Sequence, residues 1–270
     1  MVCLMTDLRH TARQASDHPV LETTARVGYA VSGLLHLIIG WIALQIAWGL
    51  GSSAQEADQG GALQTLAGNG AGQAVLWVGV LGFLGLGLWQ VADAIVGHPG
   101  SGKDAWGPRA KAAAKAVVYL ALGWTVFGFA RGKSSDSTQQ TVDFTATLMK
   151  QPGGRWLVAA VGLVIVGVGI YHVRKGATKK FLRDLEEHPG HWATRAGVVG
   201  YIAKGIALGV VGGLFIAAAQ QGSARQSSGL DGALRTLKEQ PFGPGLLTAV
   251  AVGLGAYGLY SFSRARHAKV

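Results

Sequence analysis

Six stretches of the chain run almost without charge, at 28–50, 73–96, 111–130, 156–173, 198–220 and 245–262, and polar segments separate them. At about 1.5 Å of rise per residue, stretches of this kind reach across a hydrocarbon core of about 30 Å. The fourth and sixth are the shortest. A helix satisfies its own backbone in lipid, whereas an isolated strand does not. The alternating segments of about ten residues that a membrane barrel needs are absent. The pattern therefore predicts an all-α integral membrane protein of six transmembrane helices. Trp48, Trp77, Trp89, Trp156, Trp192 and Tyr260 fall near the ends of the stretches, where interfacial anchors are expected.

The stretches are copies of one another. Gly28-Tyr29-Ala30-Val31-Ser32-Gly33 opens the first, Lys111-Ala112-Ala113-Ala114-Lys115-Ala116 the third and Gly200-Tyr201-Ile202-Ala203-Lys204-Gly205 the fifth. Lys115 and Lys204, Leu148 and Leu237, Pro152 and Pro241, and Tyr171 and Tyr260 are all 89 positions apart. The first copy follows with a one-residue slip: Gly28 lies 83 positions before Lys111, and Trp89 lies 82 before Tyr171. The organisation is an N-terminal tail (1–25), repeat 1 (26–97), a linker (98–110), repeat 2 (111–175), a mixed-charge linker (176–196), repeat 3 (197–264) and a C-terminal tail (265–270). Each repeat is a helix, a loop and a helix. The loops carry short pieces with Leu or Met three residues after Leu or Ala: Ala62–Leu66, Ala146–Met149 and Ala233–Leu237. These predict amphipathic helices in the outer loops. Three such units imply pseudo-threefold symmetry about the membrane normal. Glycines at 79, 82, 85 and 87, at 162, 167 and 169, and at 253, 255 and 258 predict close packing through the even-numbered spans.

Composition agrees. Of 270 residues, 14% are charged and 49% hydrophobic, and 42 are glycine, too few charges to cover a soluble surface. The formal net charge of +10 is then read through topology and anionic lipid, and with no soluble domain to carry a basic face no nucleic-acid partner is expected. Segments on one side of the six spans hold fifteen Lys and Arg against seven on the other, which predicts cytoplasmic N- and C-termini. Cys3 is the only cysteine, so an intrachain disulfide is excluded.

The Gly-Tyr-x-x-x-Gly openings and the run Gly232-Ala233-Leu234-Arg235-Thr236-Leu237-Lys238-Glu239-Gln240-Pro241-Phe242-Gly243 resemble a bacterial membrane family common in actinobacteria, domain of unknown function 1206, built from three tandem two-helix repeats. The likeness spans residues 25–264. It implies topology and carries no activity. The second copy departs from the pattern, with Lys111 and Ala112 in place of Gly and Tyr. Mitochondrial carriers share the three-repeat outline but not their acidic and basic signature, so that likeness is architectural only.

Candidate chemistry centres on Lys115 and Lys204, with Ser32 in the same repeat position. A charge at the bilayer centre costs at least ~2.5–3.5 kcal/mol, so it faces a bundle interior or water unless it snorkels out. Asp93, Lys175 and Arg264 are repeat equivalents at the inner ends of the even spans, and His36 and Tyr119 lie one turn deeper than the lysine position. Together, Lys115, Lys204, Asp93, Ser32, His36 and Tyr119 form a candidate site for a small anion or anionic head group. Arg174, Lys175, Lys179, Lys180 and Arg183 beside the fourth span form a candidate anionic-lipid contact. His36 has no evident second imidazole for haem, and no His or Cys cluster has zinc spacing, so no cofactor or metal is expected. No phosphate-cradling loop or Gly-x-Ser-x-Gly elbow occurs. Glu56 and Asp58 in the first outer loop show no reason to pair. The expected role is a non-enzymatic bundle associating with lipid or other membrane proteins, and the alternative is a transporter or channel for a small anion.

Overall fold

A computed structural model of the chain describes residues 19–50, 55–96, 106–133 and 136–267. Cys3, His98 and the linker before residue 106 lie outside the described residues. Among the described residues nine α-helices follow one another: α1 (Pro19–Trp48), α2 (Gln59–Ala67), α3 (Gly70–Val96), α4 (Trp106–Ala130), α5 (Ser137–Met149), α6 (Gly154–Ala177), α7 (Gly190–Gln221), α8 (Gly229–Glu239) and α9 (Gly243–His267). Short 3₁₀ turns occupy Lys180–Asp184 and Ala224–Gln226. Six helices (α1, α3, α4, α6, α7 and α9) are long and apolar enough to cross a membrane. The protein is thus a multi-pass helical membrane protein of three two-helix repeats. The fourth and sixth spans, short in the sequence pattern, belong to helices of 24 and 25 residues. α2, α5 and α8 are the predicted loop helices.

The described residues fall into two compact units. Residues 19–31 and 66–133 belong to one, and residues 32–65 and 136–267 to the other.

Within the second unit, helices meet backbone to backbone through glycines seven residues apart, which share one helix face. A Cβ added at Gly33 would stand 2.9 Å from the carbonyl oxygen of Gly258, and one at Gly40 would stand 2.8 Å from that of Ala251. As α1 ascends α9 descends, so the pair is antiparallel. α6 and α7 repeat this: a Cβ at Gly205 would lie 2.6 Å from the Gly169 oxygen, and one at Gly212 2.7 Å from that of Gly162. Such approaches need residues without side chains, and their tight van der Waals contact holds helices together where lipid removes the hydrophobic drive. In the first unit α3 and α4 are also antiparallel. There a Cβ at Gly87 would meet the Leu120 side chain at 2.6 Å, and one at Gly123 the Phe83 Cβ at 3.3 Å. Of the glycines predicted on the even spans, Gly87, Gly162, Gly169, Gly253 and Gly258 make close contacts, whereas Gly167 and Gly255 have open space where a Cβ would be; half of each seam in the second unit lies on the odd spans α1 and α7.

Large apolar side chains cover the outside, as expected in lipid. Trp48, Trp124, Trp156 and Trp192, all near helix ends, are well exposed. Tyr260, expected as an interfacial anchor, is fully buried. Its ring packs edge-on against Phe181 and Tyr201 in an aromatic cluster.

The loop helices of the second unit are joined through carboxylates. Glu56 accepts hydrogen bonds at 3.0 Å from the backbone N–H groups of Ser137 and Thr138, at the N-terminus of α5. Asp231 on α8 accepts from the Ala57 N–H at 2.8 Å and from Arg235 Nε at 2.7 Å, and Arg235 donates on to the Gln55 carbonyl at 3.0 Å. Asp58 caps the start of α2 by accepting from the Gly61 N–H at 2.9 Å. Orphan amides at helix N-termini are natural partners for carboxylates, which here stand in for the water they left. Burial raises the Asp58 pKa to about 6, reinforced by the nearby Glu56 and Asp231 carboxylates and opposed by its hydrogen bond from Gly61.

Candidate functional site

The site forms where α1, α7 and α9 come together in the second unit. α7 crosses α9 at Gly200, where an added Cβ would stand 2.5 Å from the Tyr257 Cα. One helical turn further along α7, Lys204 extends over the Tyr257 ring, its Nζ 4.3 Å from the centroid. From α1, His36 packs against the same ring with centroids 4.7 Å apart. Lys204 Nζ and His36 Nε2 are 3.3 Å apart.

The hydrogen bonds fix who carries the protons. His36 Nδ1 lies 2.7 Å from the Ser32 carbonyl oxygen, which can only accept, so Nδ1 bears a hydrogen. Nε2 facing an ammonium at hydrogen-bond distance must then supply a lone pair, because two N–H donors would otherwise oppose each other. The pair is a lysine ammonium donating to a neutral imidazole, with one positive charge between them.

That charge has neutral company. The Tyr257 ring face and the His36 lone pair are its partners among the described residues. A desolvated cation–π contact is worth about 2 kcal/mol and a hydrogen bond about 1 kcal/mol more. Those gains are of the size of the ~2.5–3.5 kcal/mol cost of a mid-membrane charge. They hold the ammonium in place without neutralising it. His36 is buried, whereas Lys204 keeps partial exposure.

Next to this pair lies the aromatic cluster of Phe181, Tyr201, Tyr257 and Tyr260. Phe181, carried by the Lys180–Asp184 turn, stacks on Tyr201 at 5.2 Å, and Tyr201 meets Tyr257 edge-on at 5.2 Å. Lys179, in the left-handed region at φ 54°, turns the chain sharply enough after α6 to bring Phe181 inward. There it fills the space beside Gly197, where a Cβ would strike its ring at 2.6 Å. Lys175 closes the cluster, 5.5 Å from the Tyr201 centroid and paired with Asp184 at 2.6 Å. This cation, unlike Lys204, has an anion of its own.

Of the six anion-site candidates, the structure brings together Ser32, His36 and Lys204. Ser32 takes part through its carbonyl. Lys115, Asp93 and Tyr119 belong to the other unit, where Lys115 is exposed and Tyr119 stacks on Phe83 with centroids 6.5 Å apart. His36, for which the sequence shows no mate, finds Lys204 168 residues away. Among the five lipid-contact candidates, Arg174, Lys179, Lys180 and Arg183 are exposed, and Lys175 turns inward to Asp184. Sequence reasoning missed Tyr257 and the carboxylate junction of Glu56, Asp58 and Asp231. The one available signal for the junction was the i, i+4 spacing of Asp231 and Arg235. Among the described residues, no group of three His, Cys, Asp or Glu is arranged to hold a metal ion.

The model of the Domain of Unknown Function DUF1206 matches three tandem segments, 27–97, 110–179 and 199–268. A similar protein is the uncharacterized protein YxxB of Bacillus subtilis (strain 168), 28% identical over 253 residues, covering 91% of this chain and 90% of that protein. No solved structure matches the chain.

Proposed function

Because the chain belongs to the DUF1206 family, whose description assigns no activity, we propose its function from the site itself: a non-enzymatic membrane bundle that binds an anionic group against Lys204. The observation that carries this reading is the Lys204 ammonium, held in place by the neutral His36 and Tyr257. A charge kept in a low-dielectric bundle, with no opposite charge paired to it among the described residues, is complementary to an incoming anion. A lipid head group and a small free anion share that chemistry.

The exposed Arg174, Lys179, Lys180 and Arg183 beside the end of α6 suit an anionic membrane surface, at about 1 kcal/mol each. With the excess of Lys and Arg on one side, this reading places the protein in the bacterial plasma membrane with cytoplasmic termini. Gly167 and Gly213, both exposed with open space where a Cβ would be, suit close approach by helices of other membrane proteins. The test is mass spectrometry of the protein extracted with its lipids. Retained anionic lipid should fall at least fivefold in Lys204→Met, and unchanged retention would overturn the proposal.

A second reading, transport of a small anion, is favoured by the position of Lys204 well inside α7 (Gly190–Gln221), about four turns from its start. It predicts Lys204-dependent anion flux in proteoliposomes, and binding without flux would reject it.

A further inference from the structure

We infer that anion binding at Lys204 is coupled to the uptake of one proton by His36, so that the site takes an anion and a proton together. This rests on the anion-binding reading above and adds its regulation.

The argument begins from the contact itself. At 3.3 Å, the two nitrogens share one positive charge, because both protonated they would set two cations in contact in a low-dielectric interior. The proton on Nδ1 is held by the Ser32 carbonyl, so Nε2 is the atom free to change state. An arriving anion draws the Lys204 N–H onto itself. Nε2 then loses the donor it was accepting from, beside a new negative charge. Both changes favour protonation of Nε2, and the proton comes from water. The Nε2–H bond forms as an O–H bond of water, or the buffer acid's X–H bond, breaks; the products are a lysine ammonium, an imidazolium, the bound anion and the buffer's conjugate base in solution.

The surroundings limit which other group could take the proton. Facing the pair from α9 is the Tyr257 ring, with Tyr201 of α7 and Tyr260 of α9 behind it. From α6, His172 stacks on the Tyr201 ring with centroids 5.8 Å apart, its Nδ1 2.8 Å from the Val168 carbonyl oxygen. Lys175 is neutralised by Asp184, and Arg264 stands in the last turn of α9. His172 is the one other group of the imidazole type there, and it carries no contact to Lys204 Nζ of the kind His36 has.

Linkage fixes the sign and size. A site that gains one proton on binding weakens about tenfold per pH unit as pH rises through the range where that proton is absent from the free site. The experiment uses the full chain with two probes of constant charge between pH 5 and 8: sulfate, added to protein in detergent, and phosphatidylglycerol in nanodiscs otherwise made of phosphatidylcholine. Calorimetric titration in buffers of different ionisation enthalpy counts protons taken up per bound anion. At pH 8 the expected result is about one proton per site, with affinity falling about tenfold per unit from pH 7. Sulfate alone binding would assign a small anion, phosphatidylglycerol alone a lipid head group; binding of neither would overturn the inference.

His36→Gln should bind with little pH dependence and take up no proton; if the proton persists in this variant, His172 is the acceptor and the inference fails. Binding lost in Lys204→Met, with no proton uptake by the unaltered protein, would sink the coupling and leave the anion-binding reading standing. Binding unchanged in Lys204→Met would remove both. The proton count on the unaltered protein stands even if a variant fails to fold.

Discussion

Lys115 and Lys204 occupy the same position in two copies of one repeat, yet their surroundings have nothing in common. Lys204 lies over an aromatic ring and against an imidazole, whereas Lys115 is exposed. The helix seams differ in the same way. α6 and α7 touch backbone to backbone through Gly162, Gly169, Gly205 and Gly212, but at the equivalent points α3 and α4 carry Val80, Gly87, Ala116 and Gly123, and side chains stand between them. A repeat preserves topology, since that needs only a hydrophobic run and a loop. A site needs particular partners on other helices, and these have diverged. Of the three equivalents His36, Tyr119 and Leu208, only the first offers a ring nitrogen to an ammonium.

The seams give the largest expected effect. Gly169→Ala places a methyl 2.7 Å from the Gly205 carbonyl. Backbone cannot yield there without separating the helices, so the cost should be about 2–3 kcal/mol. Gly87→Ala is the same substitution one repeat earlier, but it meets the Leu120 side chain, Cδ2 at 2.6 Å and Cγ at 2.8 Å, which can change rotamer where backbone cannot. Its cost should stay below about 1 kcal/mol. Thermal unfolding of the two purified variants in one detergent measures the difference, and equal losses would remove the distinction between the seams.

Asp58 offers the next effect, of about 2 kcal/mol. Its pKa is raised from 3.8 in the unfolded chain to about 6 in the folded protein, so the folded state binds more protons between those values. Stability therefore falls as pH rises through about 4 to 6 and levels off above. Asp58→Asn keeps a side-chain oxygen for the Gly61 N–H and removes the titration. The variant should gain on the natural protein from about pH 4 to pH 6 and hold that gain above. A difference that does not change with pH would place the Asp58 carboxyl in water.

The fold was legible in the sequence because lipid imposes it: six apolar runs admit few alternatives to six helices, and the 89-residue register pairs the copies. The intramembrane lysine was legible too, since a charge in such a run is conspicuous. Its partners were not. His36 and Tyr257 each look like ordinary helix residues, and nothing in their spacing from Lys204 marks a contact made through tertiary packing of three separate helices. Tyr260 looked like an interfacial anchor because position near a helix end is all that sequence shows. The turn that carries Phe181 inward depends on a positive φ at Lys179, a conformation a lysine does not advertise. The carboxylate junction was hidden for the same reason: Glu56 and Asp231 cap backbone amides of segments far along the chain.

The smallest effect returns to the two lysines and separates cost from use. Lys115 is exposed, so Lys115→Met removes no buried contact, and stability should stay within about 0.5 kcal/mol. Lys204→Met removes an ammonium whose cation–π and hydrogen-bond gains roughly match the cost of keeping it in the bundle. An apolar chain of similar length leaves the Tyr257 face covered and lifts that cost, while His36 loses a donor that water can replace through the partial opening at Lys204. The net should be unchanged stability or a gain of up to about 1 kcal/mol, alongside the loss of anion retention. A residue kept for binding costs stability that its removal returns, whereas a packing lysine would leave a destabilised bundle. Unfolding of both variants in one detergent therefore reads what each ammonium is for, and a loss above about 1 kcal/mol in Lys204→Met would mark it as structural.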